Sequence, residues 1–337
     1  MTLTPDAPPD DPRVVAVIPT YRASKTIRRV VERALEVADT VVVVDDGCPE
    51  ASYRMLDPHA RVRIVHHERN RGVGAATKDG IATALDWGAE YIVKIDADDQ
   101  MDTSYVPDMI EILDRHPDVD LVKGNRFAAL TSVRKMPFAR LIGNSGLTFL
   151  VKFSSGYWTL VDPTNGFIAV RADAIRQTDL AGLADRYFFE IDLLCAFGLR
   201  RRIIAELEMP AIYAGEGSSL SVTHALAAFP GRLLSRFLRR FLLNYLVFEI
   251  NVASFCVMLG LPMLIAGITF GGIEWWHSIA TGVPRTTGIV ILALLLFMLG
   301  FQLTLQALLY DVQFSPRTLK LRREPKHHGT VLTARRS

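Results

Sequence analysis

The sequence predicts an α/β domain with a mostly parallel sheet, followed by an amphipathic interfacial helix and two transmembrane helices. Three observations carry that expectation. Short β-branched runs alternate with helix-period segments from Arg13 to Pro210. Polar and glycine-bearing clusters stand at the C-terminal ends of successive runs. The apolar excess of this 337-residue chain, 50% hydrophobic overall, is concentrated after residue 250.

The elements follow in order. Residues 1–12, rich in Pro and Asp, read as a disordered lead with no signal-peptide pattern. Val14–Ile18 predicts a strand, and Ser24–Ala38 a helix with Ser24 as N-cap. Val41–Val44 and Val62–Val65 predict two further strands. Gly72–Trp87 predicts a helix entered through Gly-x-Gly, and Tyr91–Ile95 the next strand. Tyr105–Arg115 and Val119–Val122 complete the alternation with a helix and a strand. This order calls for helices on both faces of the sheet.

Strands of a parallel sheet end on one edge, so four loops are expected to converge. They are Pro19-Thr20-Tyr21, Asp45-Asp46-Gly47, Asn70-Arg71-Gly72-Val73-Gly74 and Asp96-Ala97-Asp98. They offer an aromatic face for a base, carboxylates for base and ribose hydroxyls, and glycines that let backbone approach a diphosphate. Asp96, Asp98 and Gln100 stand at i, i+2 and i+4 and can share one hard cation, Mg²⁺ or Mn²⁺. Taken singly, each has a plainer explanation: a solvated turn, a loop aromatic, a helix entry. Their arrival at successive strand ends favours a nucleotide site.

The remainder reads as membrane-associated. From Ala225 to Ile250 four arginines (232, 236, 239, 240) and Glu249 give +3, and Phe314–Ser337 carries +6. Each basic patch adjoins an apolar span, which favours a lipid surface over nucleic acid. Residues 223–250 form the juxtamembrane region. Within it, Leu233, Leu234, Phe237, Leu238, Phe241 and Leu242 lie opposite the arginines, as in a helix lying in the interface. An ordinary helix packed on the preceding domain fits the same pattern. Val252–Ile273 and Thr287–Leu309 are uncharged and long enough to cross a bilayer of about 30 Å. They predict a hairpin over 251–311, linked through Glu274-Trp275-Trp276-His277 and Arg285, then a basic tail over 312–337. The charge asymmetry places the domain and both termini on the cytoplasmic side of the plasma (inner) membrane. Cys48, Cys195 and Cys256 are too dispersed for a metal motif or a disulfide framework.

The segments Ile18-Pro19-Thr20-Tyr21, Val43-Val44-Asp45-Asp46-Gly47, Asn70 through Ala76, Asp96-Ala97-Asp98-Asp99-Gln100 and Gly124-Asn125-Arg126 resemble family 2 glycosyltransferases of the GT-A fold. More narrowly they resemble polyprenyl-phosphate glycosyltransferases of the dolichol-phosphate mannose synthase type. The resemblance covers residues 13–222, and the helix with two spans is similar to the bacterial branch. It implies that Pro19, Tyr21 and Asp46 hold the nucleoside, with Val44, Gly74 and Ala97 beside the nucleotide sugar. It implies Asp98 and Gln100 as metal ligands, assisted by Asp96, and Arg126 facing the phosphates. Asp96, Asp98 and Arg126 would be the catalytic set. Asp162, Glu190, Asp192 and Arg232 fall in or near acceptor-side segments.

The implied reaction moves a sugar from a UDP- or GDP-linked donor to a polyprenyl phosphate with inversion, at a lipid bilayer, with Mg²⁺ or Mn²⁺ as cofactor. Related enzymes imply a homo-oligomer, with a tetramer as the candidate state. Two departures stand out. Tyr21 is followed by Arg22-Ala23 where the family has Asn-Glu, and Gly215–Leu220 lacks the Lys and Arg of some relatives. Two competing readings are an elongating transferase that glycosylates a sugar hydroxyl, with Glu190 or Asp192 as base, and a non-catalytic membrane scaffold or sensor. The chain lacks Gln-x-x-Arg-Trp, which weighs against a processive synthase. The intact acid pair weighs against a scaffold.

Overall fold

The computed structural model describes residues 12–126, 138–210, 222–323 and 332–334, with backbone alone for 138–144, 222–228 and 332–334. Residues 1–11 of the expected lead and the segment Gly215–Leu220 lie outside the described residues. The chain divides into two compact units, Met1–Arg236 with Pro316–Ser337, and Phe237–Ser315.

In the first unit, β1 (Val14–Thr20), α1 (Ile27–Leu35), β2 (Thr40–Asp45), β3 (Val62–His66), α2 (Val73–Asp86) and β4 (Tyr91–Lys94) follow the expected alternation. Next come α3 (Val106–Arg115), β5 (Val119–Asn125), α4 (Phe138–Ser155), β6 (Ile168–Arg171), α5 (Ala172–Arg176), α6 (Phe189–Leu199) and β7 (Ile203–Glu208). After the membrane hairpin the chain returns as β8 (Thr318–Arg323) and β9 (Leu332–Ala334). The sheet runs β3-β2-β1-β4-β6-β5-β7-β8-β9. β1 is parallel to β2 and β4, and β5 is parallel to β7. β6 alone among the inner strands runs against both neighbours.

The two-residue period sorts β1 between two cores. Val15 and Val17 join one cluster with Val42, Val44 and Phe189, while Val14, Ala16 and Ile18 join the other with Ile27, Val41 and Met109. Helices thus cover both faces. α2 lies so close to β1 that a Cβ at Gly80 would sit 2.4 Å from Val17 Cγ1. The N-terminal expectation for α1 differs. The helix begins at Ile27, and Ser24 Oγ donates instead to Glu50 Oε2 at 2.7 Å.

The basic tail is not a solvated membrane patch over its first part. Residues 318–323 form β8, parallel to β7, with Leu321 only 3% exposed in the second core. Arg323 pairs with Asp108 at 2.9 Å and lies 4.6 Å from the Tyr105 ring, and Arg322 approaches Glu208 at 3.8 Å. Thr318-Leu319-Lys320-Leu321 alternates with period two, a strand signal that its charge obscured.

α7 (Val222–Leu242) spans the boundary between the units. Its first half packs on the sheet-bearing unit through Phe229 and Leu233, and Arg236 pairs with buried Asp192 at 2.6 Å. The purely interfacial reading is corrected to that extent. Arg236 does not face lipid phosphates, because a buried carboxylate claims it. Leu234, Leu238 and Leu242 recur every four residues and are exposed.

In the second unit, α8 (Val252–Thr281) and α9 (Thr287–Gln313) are long and apolar enough to cross a membrane. α8 runs through the expected linker, past Trp275 and Trp276, and stops at Gly282 with φ 66°. The connection therefore shortens to a few residues. The helices meet through small residues. A Cβ on Gly267 would lie 2.4 Å from the Phe297 backbone nitrogen, and one on Gly300 2.2 Å from that of Leu264. Arg240 also departs from the expected phosphate-facing arc. It makes two bonds, at 2.7 and 2.8 Å, to Asp311, which also accepts from Tyr245 at 2.7 Å; all three residues are buried.

Two outcomes follow from this packing. Leu321→Ala should lower the stability of the sheet-bearing unit by about 2–4 kcal/mol, the cost of a truncated core leucine, read as a shift in denaturant midpoint. A solvated tail would show no shift. Asp311→Ala should cost the second unit roughly 3–5 kcal/mol, because it strands a buried guanidinium, read as a lower unfolding temperature in detergent.

Candidate active site

The turn after β4 is held from three directions. Thr26 Oγ1 donates to Ala97 O at 2.5 Å, and the Gln100 N–H donates to Asp98 Oδ1 at 3.1 Å. Asp99, at φ 60°, is clamped by Arg29 and Arg33 of α1 at 2.8 and 2.9 Å. These restraints turn Asp99 away toward α1. Asp98 is exposed, and Gln100 is half-buried beside it.

Below the turn, Lys94 is 2% exposed. Its Nζ lies 2.5 Å from Asp96 Oδ1 and 2.9 Å from Glu190 Oε1. Burial disfavours its charge, but the two carboxylates outweigh burial and hold its pKa above the usual lysine value. Glu190, in the first turn of α6, thereby joins the acid pair of β4. Partial desolvation of the carboxyl within the turn, reinforced by the Asp96 charge, raises Asp98 above its ordinary value although the residue as a whole is exposed.

Among the described residues no group of three or more His, Cys, Asp and Glu forms a metal cage. The donor set is two carboxylates and an amide, with one Asp96 oxygen already engaged by Lys94. That set fits Mg²⁺ or Mn²⁺, which is commonly held by one or two carboxylates and completed by phosphate oxygens and water. The strain between Asp96 and Asp98 is what a cation would relieve.

The second strand end is built around a buried carboxylate. Asp46 has a side chain only 3% exposed. Its Oδ1 accepts from the Arg71 N–H at 2.8 Å and faces His67 Nδ1 at 2.8 Å, and its Oδ2 accepts from the Gly72 N–H at 2.8 Å. His67 Nε2 faces Asp79 at 2.8 Å. Asp46 thus holds the glycine loop in place. The glycines themselves face protein. A Cβ on Gly72, at φ 105°, would lie 2.4 Å from Asp185 O, and one on Gly74 2.3 Å from Ala184 O. Their first requirement is close packing on 184–185.

Tyr21, 43% exposed, lies beyond β1, with the Arg22 guanidinium 5.4 Å from its ring centre. Pro19 and Val44 pair across β1 and β2, both buried, and Ala97 is 7% exposed.

On the acceptor side, Arg126 grips Asp162 through Nε at 2.9 Å and a second nitrogen at 3.3 Å. Asp162 is fully buried, and its own N–H and that of Val161 donate to Glu206 Oε1 at 3.0 and 2.8 Å. Glu206 on β7 is 1% exposed, and burial raises its pKa. Asp192 instead serves as the anchor for α7 through Arg236. Arg232 lies 5.8 Å from the Phe188 ring centre, beside a cavity of about 370 Å³ that Asp192, Arg232, Ser235 and Arg236 help to line.

The structure therefore unites Asp96, Glu190 and, through the turn, Asp98 and Gln100. It joins Arg126 to Asp162 separately, and puts Asp192 and Arg232 at the α7 cavity. Lys94 and Lys123 are absent from the sequence-based set. Both pair with Ile168, so they stand in one row across β4, β6 and β5. Lys123 is 1% exposed and its Nζ donates to Asn165 O. A lysine at the end of an apolar run is the signal that marks each: Tyr91-Ile92-Val93-Lys94 and Leu121-Val122-Lys123.

This fold and its acid-lined sheet edge have counterparts among known proteins. Residues 15–178, just under half of the chain, match the family model "Glycosyl transferase family 2". It is 26% identical over 236 residues to UDP-N-acetylglucosamine--dolichyl-phosphate N-acetylglucosaminyltransferase of Methanococcus voltae, covering 65% of this chain and 93% of the relative. It is 29% identical over 189 residues to polyprenol monophosphomannose synthase of Mycolicibacterium smegmatis, covering 54% and 70%. Mannosyl-3-phosphoglycerate synthase of Rubrobacter xylanophilus shares the fold, with TM-score 0.52 at 15% identity over 71% of this chain and 77% of that one.

Burial pushes the Lys123 pKa down from 10.5 to about 8, partly offset by Asp162 and Glu190. Between those values the unfolded chain binds more protons than the native one, so this lysine makes stability rise with pH from about 8 to 10.5. Lys123→Met should flatten that rise in unfolding temperature against pH.

Proposed function

We propose that this chain transfers a sugar from a nucleoside-diphosphate sugar to a polyprenyl phosphate at the surface of the membrane its hairpin crosses. The observation that carries this reading is the Asp96/Asp98 pair at the sheet edge of a glycosyltransferase domain followed by α8 and α9. The names of the relatives support the acceptor class. The chain leaves the sheet-bearing unit at Arg236 and rejoins it at Pro316. Two crossings return it to the side it left. The basic flanks make that side cytoplasmic.

The residues divide the work. Asp98 and Gln100 would hold Mg²⁺ or Mn²⁺, which supplies positive charge to the departing diphosphate. Tyr21 offers its exposed ring to the base. Asp46 keeps the Arg71–Gly72 backbone in place beneath the donor. Arg126, aligned by Asp162, places a guanidinium where two phosphates would otherwise repel. A lipid phosphate is already anionic at neutral pH, so no strong base is required to create the nucleophile. Single displacement by that oxygen inverts the anomeric centre. Glu190 is committed to Lys94, which supports this acceptor over a sugar hydroxyl that needs a free base.

Exposed Leu234, Leu238 and Leu242 of α7 suit the acyl boundary, with Arg239 nearby and also exposed. This arrangement holds the domain near headgroup depth, where an oily acceptor presents its phosphate.

Purified protein given Mn²⁺ or Mg²⁺, a panel of UDP- and GDP-sugars and undecaprenyl phosphate should form an anionic glycolipid. Asp98→Ala should reduce turnover by roughly 100-fold or more without lowering the unfolding temperature. Transfer to sugar hydroxyls alone would overturn the acceptor assignment.

A further inference from the structure

Lys94 is a full positive charge buried beside the acids that the expected cation would serve. Its Nζ takes Asp96 Oδ1 at 2.5 Å and Glu190 Oε1 at 2.9 Å. The pocket around it is tight. A Cβ at Gly166 would lie 2.8 Å from Lys94 Nζ, 3.1 Å from Asp96 Oδ2 and 3.5 Å from Glu190 Oε1. Backbone therefore closes over the ammonium, and the three groups stay in contact. Glu190 is fixed from the other side by its place in the first turn of α6. A second buried ammonium, Lys123, stands in the same sheet row.

We propose that Lys94 is a resident counter-ion that makes uptake of the divalent cation conditional on the nucleotide. Its ammonium engages one oxygen of Asp96 and one of Glu190, which leaves the second Asp96 oxygen, the Asp98 carboxylate and the neutral Gln100 amide. With part of the acidic charge already offset, that set holds Mg²⁺ or Mn²⁺ weakly, and such ions are usually retained with the help of substrate phosphates. A donor diphosphate brings the missing charge, so cation and nucleotide enter together. Lys94 keeps the acids from holding a cation tightly once the diphosphate has left. Lys94 is thus a positioning residue that acts through Asp96 and Glu190.

This inference rests on the proposed donor site, and the test separates the two. Mn²⁺ binding to the full-length detergent-solubilised protein is measured by electron paramagnetic resonance, with and without UDP or GDP. Wild type should bind Mn²⁺ about tenfold or more tightly with a nucleoside diphosphate than without one, the scale of an added charge at close range. Lys94→Met exposes a cluster of carboxylates and should bind Mn²⁺ about tenfold more tightly than wild type without nucleotide. Glu190→Gln leaves Lys94 opposed by Asp96 alone and should weaken binding with nucleotide by roughly threefold or more. Should Lys94→Met not fold, Glu190→Gln decides. A purely structural role would lower unfolding temperatures and leave every Mn²⁺ affinity unchanged. That result overturns the role of Lys94 while leaving the donor site standing. Wild type that takes up no Mn²⁺ with either diphosphate overturns the donor site and this inference together.

Discussion

Charge compensation under the carboxyl edge of the sheet is the constraint on which the site depends. A buried ion carries a desolvation penalty of several kcal/mol unless partners surround it. Lys94 meets that requirement with Asp96 and Glu190, and Arg126 meets it for Asp162. Each pairing joins elements far apart in the chain. The first ties β4 to α6, and the second ties the end of β5 to the segment before β6. The same compensation that makes burial tolerable also fixes where each acid points.

Behind these pairs stands a supporting layer. Glu206 on β7 orders the 161–162 backbone, and that backbone delivers Asp162 to Arg126. β7 is itself flanked by β8, whose residues arrive only after the chain has passed through α8 and α9. The hairpin is therefore an insertion in a sheet that closes on its far side.

Much of the first half of the domain was legible in the sequence. Period-two valine runs at 14–18 and 41–44 mark strands, and strand ends carry Tyr21, Asp46 and Asp98 as expected. Roles were less legible than positions. Gly72 and Gly74 suggested room for a diphosphate, yet they make room for the backbone at 184–185. Arg236 and Arg240 suggested contacts with lipid phosphates, yet each meets a carboxylate distant in sequence, Asp192 and Asp311. A glycine or an arginine reports that something must come close, and does not say what.

Local pattern by itself determined the alternation of strands and helices, the acid pair at a strand end and the two apolar spans, because periodicity and hydropathy are properties of neighbours in the chain. Tertiary structure decided the antiparallel insertion of β6, the return of residues 318–323 to the sheet and the union of Lys94 with Glu190. Those are non-local pairings. Their energies come from burial and charge neutralisation between segments far apart in the chain, as in Glu208 with Arg322 and Asp118 with Arg317, and no window of sequence contains both partners.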